Sequence, residues 1–551
     1  LPKSRQKNRF AAHLRLAHRR SGALQRQEIA TDDVEMLVKT ASPPVGKSWL
    51  NQLSRFVLPG LVFLLALTPR LAGLGSKPFW FDEVLTAERS IRPVLDLIQN
   101  SFTWHHTPVY FLLVAPFAHS ADPQFWLRLP SAFLGALSTM LVYLIAARAG
   151  GRFAGIAAGL ILGLSPTEIA FSQEARTYML VIFCILVALH GLTGLASNVE
   201  RSALPWRKGG KGGDWLQFIA GTTFALALLG DSLPWLLAAD ITAALLILHT
   251  HNRPGLLRNF AAANGIAIVS SLAMYLPIFF FQVNGVVKIL DFIPPPTPLM
   301  LWYDIGSVYL MRISDSVSAH FMAVPTPHWV AWLIGIGLLV ACAAGIWRLR
   351  LRPMLAAALL PAFLTLPLLF GFISIWNPLL TPRYLLWSGP PFAILAGIGI
   401  AVVLDQWPPF RRHVALAAIA LLLLVNLLPY YPAETKPRWD IVAHIMAAQA
   451  QPGDDFYFFE NGGGWTTNYY LPSKLQAVML TGWPGDLQDA EAAHAQGRRV
   501  WAIYGDAWLV KRWQPLSAFQ ATLAPFGRPS ATLHAGSRIT IWRYDPTPAG
   551  K

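Results

Sequence analysis

Residues 108–118, PVYFLLVAPFA, decide how this chain is threaded. As one helix they reach only ~16 Å, about half of the roughly 30 Å of hydrocarbon in a bilayer, and Pro116 interrupts them. They are therefore read as a juxtamembrane segment lying in the interface, not as a span. If they did span, every later loop would change sides. With them outside the hydrocarbon, the loops 148–152 (RAGGR), 200–213 (ERSALPWRKGGKGG), 249–258 (HTHNRPGLLR), 348–353 (RLRLRP) and 405–413 (DQWPPFRRH) fall on one side. All five are basic, so that side is cytosolic by the positive-inside rule.

The chain has 551 residues, 54% hydrophobic and only 13% charged, with mean hydropathy +0.43. A soluble protein of this size carries about twice that charged fraction. Repeated long apolar runs predict a polytopic α-helical membrane protein of about eleven spans, near 56–74, 125–147, 153–169, 177–197, 215–231, 233–249, 259–281, 329–347, 354–375, 384–404 and 412–429. The net charge of +15 resides in the tail and the cytosolic loops; residues 1–55 alone hold 11 Lys/Arg against 4 Asp/Glu. No recognition module accompanies the charge, so nucleic acid is not an expected partner. Cys184 and Cys342 lie inside apolar runs and are read as core thiols.

The chain falls into three regions. Residues 1–54 form a polar, basic tail without a secretory apolar core, expected to be cytosolic and mobile with no cleavable signal peptide. Residues 55–431 form the membrane domain, with a long first non-cytosolic loop at 75–124. Residues 432–551 lose the apolar runs. There DFYFF, LQAVML, RRVWAIYG and SRITIWRY alternate with helical stretches at 438–450 and 485–496, predicting a small α/β domain outside the membrane. NGGGW (461–465) lacks the G-x-x-x-x-G-K-[ST] pattern of a phosphate loop and is read as a tight turn.

Under this topology the polar residues of interest share the non-cytosolic face. Asp82 and Glu83 lie in the first loop, followed by His105 and His106, and Arg128 opens the second span. Glu168, Gln173, Glu174 and Arg176 lie between the third and fourth spans, and Arg383 and Tyr384 open the tenth. Charges at membrane depth cost about 2.5–3.5 kcal/mol each on insertion scales, so they pair or line a wet cavity. A carboxylate beside such a cavity serves as general base toward a hydroxyl. Arginines match phosphate oxygens bidentately and stay charged. Outside the cytosol, a phosphate ester reaching a membrane site from the lipid side suggests a polyprenyl phosphate, and hence transfer of a group from it to an acceptor hydroxyl.

The motifs FWFDE (79–83), HHTPVYFLLV (105–114), WLRLPSAFLGALSTMLVYLIA (126–146), SPTEIAFSQEARTYML (165–180), PRYLLWSGPPFAILAGIGIA (382–401) and RWDIVAHIMAAQAQPGDDFYFF (438–459) resemble, in the same order, the protein O-mannosyltransferase and aminoarabinose transferase family of membrane glycosyltransferases. The resemblance covers residues 56 to about 480. It implies a C-type glycosyltransferase fold with its site at the periplasmic membrane face, a polyprenyl-phosphate sugar donor, inversion at the anomeric carbon, and a bacterial inner-membrane location. Carried over by position, it makes Asp82 the catalytic base, with Glu83 beside it supporting the loop or the acceptor. Arg176 and Arg383, then Arg128, with His106, contact the donor phosphate, and Glu174, His105 and Tyr384 support them. Where relatives carry HPPL or KPPL, this chain has HTPV (106–109). A His in place of the Lys weakens the case for lipid A modification with aminoarabinose.

Alternatives remain at this level. His105 and His106 with Asp82 or Glu83 could ligate a divalent metal, although adjacent residues rarely share one ion; no cofactor is firmly implied. Trp80, Trp104 and Trp126 are read as interfacial anchors rather than sugar platforms. A flippase would show internal repeats, which are not visible. A polymerase or ligase would use pyrophosphate-linked glycans. The sugar and the class of acceptor (protein, lipid A, or other glycan or lipid) are not specified by the residues. The loop 282–328, rich in proline and aromatics, is a candidate gate.

Overall fold

The computed structural model describes residues 48–202, 212–250, 253–281, 298–311, 328–459, 461–472, 475, 486–505 and 516–546. The expectations for the tail before residue 48, for most of the loop 282–328 and for LQAVML (475–480) beyond its first residue fall outside them. The chain divides into two compact units, Leu1–Gly60 and Leu61–Lys551. The first is described only through the start of its helix; the second holds the helical bundle and the sheet.

Helix α1 (Ser48–Leu71) leads into three short helices of the first loop, α2 (Phe81–Ser90), α3 (Val94–Thr103) and α4 (Val109–Val114). Next come α5 (Pro123–Gly150), α6 (Arg152–Gly163), α7 (Pro166–Ser172), α8 (Tyr178–Ser202), α9 (Gly212–Leu228), α10 (Leu233–Leu248) and α11 (Arg253–Phe281). The membrane part closes with α12 (Pro298–Tyr309), α13 (His328–Leu349), α14 (Pro353–Ile373), α15 (Pro382–Leu385), α16 (Gly389–Leu404) and α17 (Pro409–Leu427). Among the described residues, eight helices are long and apolar enough to cross a membrane, and the α6–α7 pair makes a ninth if its halves count as one. Phe56–Leu71 of α1 is a shorter apolar helix, and the 17-residue α9 carries the remaining one of the eleven runs read from the sequence. The protein is thus a multi-pass membrane protein.

The third run is not straight. Its halves bend by 62° at Leu164 and Ser165. Pro166 has no N–H to return to the preceding turn, and the Ser165 hydroxyl accepts the Glu168 N–H at 3.4 Å, starting a new helix. The bend carries Gln173 to the carbonyls of Arg70 and Ala72 and Glu174 to Lys436. The segment 108–118 is α4 followed by one 3-10 turn, about 9 Å of α-helix, too short to cross. Its Tyr110, Phe111 and Val114 are buried with Phe79, Val84 and Leu97, which fixes the first loop as a packed layer.

Burial sorts the spans. The Pro382–Leu404 segment has 83% of its apolar window buried and runs through the middle; α11, at 17%, presents most of its surface to lipid. Helices α13 and α16 meet backbone to backbone, since a Cβ on Gly345 would strike the Leu395 carbonyl and one on Gly399 that of Ala341.

Beyond the last span lie α18 (Trp439–Gln449), β1 (Asp455–Phe458), α19 (Asn461–Tyr470), α20 (Asp486–Ala495), β2 (Val500–Tyr504), α21 (Leu516–Thr522), β3 (Ala531–Ala535) and β4 (Ile539–Tyr544). The sheet order is β1-β2-β4-β3, with β1 and β2 parallel and the other pairs antiparallel. Apolar side chains on both faces of β1 and β2 pack into two separate clusters, the mark of a sheet covered on both sides. DFYFF, RRVWAIYG and SRITIWRY are strands as expected, but NGGGW is not a turn. It begins α19, and Gly463 there leaves room for the Trp439 ring, against which a Cβ would collide.

Candidate active site

Helix α2 begins at Phe81, so Asp82 and Glu83 occupy its first turn, where a helix favours negative charge. Successive helical residues point ~100° apart, and the two carboxylates accordingly enter different surroundings.

Glu83 turns inward and is fully buried. Its Oε1 accepts Arg128 Nε at 2.7 Å and the Ala175 N–H at 2.9 Å; its Oε2 accepts Arg128 Nη2 at 2.8 Å and Lys436 Nζ at 2.7 Å. Arg128 spends its remaining donors on the carbonyls of Leu74 (3.0 Å), Lys77 (2.8 Å) and Pro78 (3.0 Å). All five N–H groups of its guanidinium are therefore used. Burial alone would raise the Glu83 carboxyl, but Arg128 and then Lys436 outweigh it and hold it well below the usual carboxylate range. This cluster ties the first loop, α5, the Gln173–Arg176 turn and the segment leaving the last span into one knot.

Asp82 faces the other way, with its side chain 13% exposed. Arg176 Nη2 and Arg383 Nη1 approach the same Asp82 oxygen, Oδ2, at 3.5 and 3.6 Å. Both distances exceed those of charge-assisted hydrogen bonds, so the two guanidinium groups converge on the carboxylate without closing on it. Arg176 Nη1 also reaches the Asp82 carbonyl at 3.2 Å, and Arg383 lies over the Trp80 ring at 5.3 Å. Glu174 shares Lys436 with Glu83. Its Oε1 takes Lys436 Nζ at 3.3 Å, and its Oε2 is buried without a hydrogen-bond partner. Burial raises the Glu174 carboxyl, with Lys436 opposing and Glu83 adding.

Two of the residues expected to touch phosphate do not have the geometry for it. Arg128 is 1% exposed with no donor left over, so it is a support for Glu83 rather than a phosphate contact. His106 gives its Nδ1–H to the Trp104 carbonyl at 2.6 Å and sets its ring edge-on to Phe111. Burial, then Arg176 and Arg89, push its pKa down to about 3. A neutral imidazole with a lone pair on Nε2 repels a phosphate rather than binding it. His105 stands beside it at φ 61°, with Nε2 buried and unpartnered. Glu83, expected next to the base, has no lone pair open to a substrate. Tyr384 is half-buried next to Arg383 in α15. Gln173 anchors the turn, giving Nε2–H to the carbonyls of Arg70 and Ala72 and accepting from Tyr430. Glu168 is buried deeper, near Gly389 of α16. Trp104 and Trp126 are exposed, as anchors are, whereas Trp80 is buried beneath Arg383 and Lys436. Among the described residues no three His, Cys, Asp or Glu side chains gather as a metal would require.

Residues after the last span complete the site, and sequence reasoning missed them. Lys436 bridges Glu83 and Glu174. Lys77, at the start of the acidic motif, donates to the Tyr430 carbonyl at 3.0 Å and the Thr435 hydroxyl at 2.8 Å. Burial, then Lys436 and Arg128, push the Lys77 amine down to about 7. Tyr470, at the end of α19, takes the Phe79 N–H at 2.6 Å, and Trp465 donates to Glu88 of α2 at 2.9 Å. One signal was available: Lys436 is a basic residue just beyond the last apolar run, on the side that the loop charges predict to be non-cytosolic, where the positive-inside rule makes basic residues scarce.

Neither a family model nor a curated protein matches the sequence. Solved structures do match in shape. The aminoarabinose transferase ArnT from Cupriavidus metallidurans in the apo state is 16% identical with TM-score 0.52, over 91% of this chain and 100% of that one. The same protein bound to undecaprenyl phosphate gives 15% and 0.52, over 90% and 99%. The Archaeoglobus fulgidus oligosaccharyltransferase in complex with Zn and sulfate gives 12% and 0.50, over 81% and 68%. At such identities the likeness is one of fold. The chain has the C-type glycosyltransferase fold, with a small extramembrane sheet region at its end.

Proposed function

We propose that this protein is an inverting glycosyltransferase that moves a sugar from a polyprenyl-phosphate carrier to an acceptor hydroxyl at the non-cytosolic membrane face. The observation that carries this is the convergence of Arg176 and Arg383 on one oxygen of the partly exposed Asp82. The undecaprenyl phosphate bound to the ArnT structure supports the donor class.

In the proposed reaction the donor phosphate inserts between the two guanidinium groups and loosens their hold on Asp82. The Asp82 carboxylate takes the proton of the acceptor hydroxyl. The acceptor oxygen attacks the anomeric carbon from the side opposite the phosphate. The bond from that carbon to the phosphate oxygen breaks, and its electron pair stays on the departing polyprenyl phosphate. Arg176 and Arg383 neutralise the charge that develops there. Glu83, Arg128 and Lys436 take no part in the bond changes; they hold α2 so that Asp82 points at the cavity. Residues 55–431 form the catalytic membrane domain in this scheme. Residues 432–551 lie on the periplasmic side, where α19 covers the first loop. None of these steps is routed through a metal, and EDTA is expected to leave turnover unchanged.

The test is turnover of the purified protein with a panel of polyprenyl-monophosphate and polyprenyl-pyrophosphate sugars, reading released carrier by mass spectrometry. Release from a monophosphate donor only when an acceptor is present supports the proposal and identifies the sugar. Release from pyrophosphate donors alone would move the protein to the polymerase or ligase class. Alkaline-phosphatase fusions after Tyr430 are expected to be active, since the basic loops place the far end of α17 outside the cytosol.

A further inference from the structure

A charged cavity lies at the end of the bundle away from Asp82. It encloses about 500 Å³ where the ends of α5, α8, α13 and α16 meet, and Glu200, Arg348, Arg352 and Asp405 line it beside Ile398 and Val402. From Arg128, beside the Asp82 site, to Gly150 at this cavity is 22 residues of α5, about 33 Å along the helix. This cavity and the Asp82 site therefore sit at opposite membrane faces.

Its charges are only partly spent on one another. Arg352 binds Glu200 Oε2 through Nε (3.1 Å) and Nη2 (2.9 Å), and its Nη1 reaches the carbonyls of Arg148 and Ala149. Glu200 Oε1 is buried with no hydrogen-bond partner. Asp405 pairs with Arg412 at 3.1 Å. The Arg348 guanidinium, exposed at the rim, makes no ion pair or hydrogen bond among the described residues. One open anionic oxygen and one open cation thus remain in a cavity whose four charges sum to zero. Basic pockets at this depth suit anionic headgroups, but here an unmet carboxylate oxygen asks for a cationic donor as well.

We infer that this cavity binds the headgroup of a zwitterionic phospholipid carrying a primary ammonium, a phosphatidylethanolamine. The phosphate takes Arg348, the ammonium gives an N–H to Glu200 Oε1, and the glycerol and acyl chains pass Val402 toward the surrounding lipid. A choline headgroup has no N–H to give, and a glycerol headgroup brings no positive charge. The inference rests on the membrane-spanning fold and not on the proposed reaction.

The test is native mass spectrometry of the full-length protein exchanged with equimolar phosphatidylethanolamine, phosphatidylglycerol and phosphatidylcholine of the same chains. The wild type is expected to retain one phosphatidylethanolamine in preference to the others. Arg348→Gln and Glu200→Gln are each expected to cut that occupancy about tenfold, the size of one charge-assisted hydrogen bond. Arg348 is exposed, so its variant keeps the test valid if Glu200→Gln folds poorly. Excess soluble phosphoethanolamine is expected to leave the lipid in place; displacement by it would overturn the assignment to a lipid. Equal or better retention of phosphatidylglycerol or phosphatidylcholine, or an Arg348→Gln protein that keeps its phosphatidylethanolamine, would overturn the inference.

Discussion

Asp82 and Glu83 are neighbours on one helical turn, yet they belong to two regions built on opposite principles. Around Glu83 every acceptor and donor is closed: short bonds, no exposure, and Arg128 saturated. Around Asp82 the partners stand off at 3.5 and 3.6 Å with exposure on both sides. A charge satisfied to the last lone pair positions a backbone, whereas a charge held loosely between cations has room for a substrate. This contrast separates the two acids of the motif by role, although their chemistry is the same.

Substitutions on either side of the contrast should have opposite signatures. The largest effect is expected at Asp82. Asp82→Asn should lower transfer by about 10²–10⁴-fold, the usual worth of a general base, while the melting temperature stays within about 2 °C of wild type. Arg128→Met should do the reverse. It leaves a buried carboxylate with one partner fewer, at a cost of about 3 kcal/mol, seen as a lower melting temperature and less folded protein in detergent. Arg176→Lys and Arg383→Lys should each weaken donor binding about tenfold, because an ammonium cannot supply the guanidinium's second N–H.

Acid should separate the two regions further. The Glu83 carboxyl is depressed in the fold, so its contribution to stability is complete above its unfolded value of 4.5 and drains away as the pH falls below that. Glu174, raised by burial, acts with the opposite sign and costs stability as it ionises. Melting temperature should therefore fall below pH 4.5 in the wild type and fall less steeply in Glu83→Gln. The smallest effect is expected at His106. Its ring is already neutral at pH 7, and His106→Gln should change donor affinity by no more than about threefold.

Much of this was legible in the chain. The apolar runs and basic loops located the spans, and the FWFDE and SQEAR motifs named the acids and Arg176 that meet. Four things were hidden, each for a physical reason. Which of two adjacent acids stays partly exposed between Arg176 and Arg383 depends on the helix starting at Phe81, a rotation no composition records. The third span reads as one run because its break at Ser165 and Pro166 keeps the apolar character on both sides. The role of Arg128 depended on three backbone carbonyls, which carry no sequence signal. Lys436 lies 353 residues from Glu83, and only the return of the chain after the last span brings them together.

The decisive measurement is the single-turnover rate at saturating polyprenyl-monophosphate sugar and acceptor, compared between wild type and Asp82→Asn, with donor affinity read on the same samples. Asp82→Asn is expected to bind donor at least as well as wild type, having removed a negative charge from the phosphate site, and yet to transfer at least about a hundredfold more slowly. An Asp82→Asn protein that is folded, binds donor and transfers at the wild-type rate would contradict the assignment of Asp82 as the base.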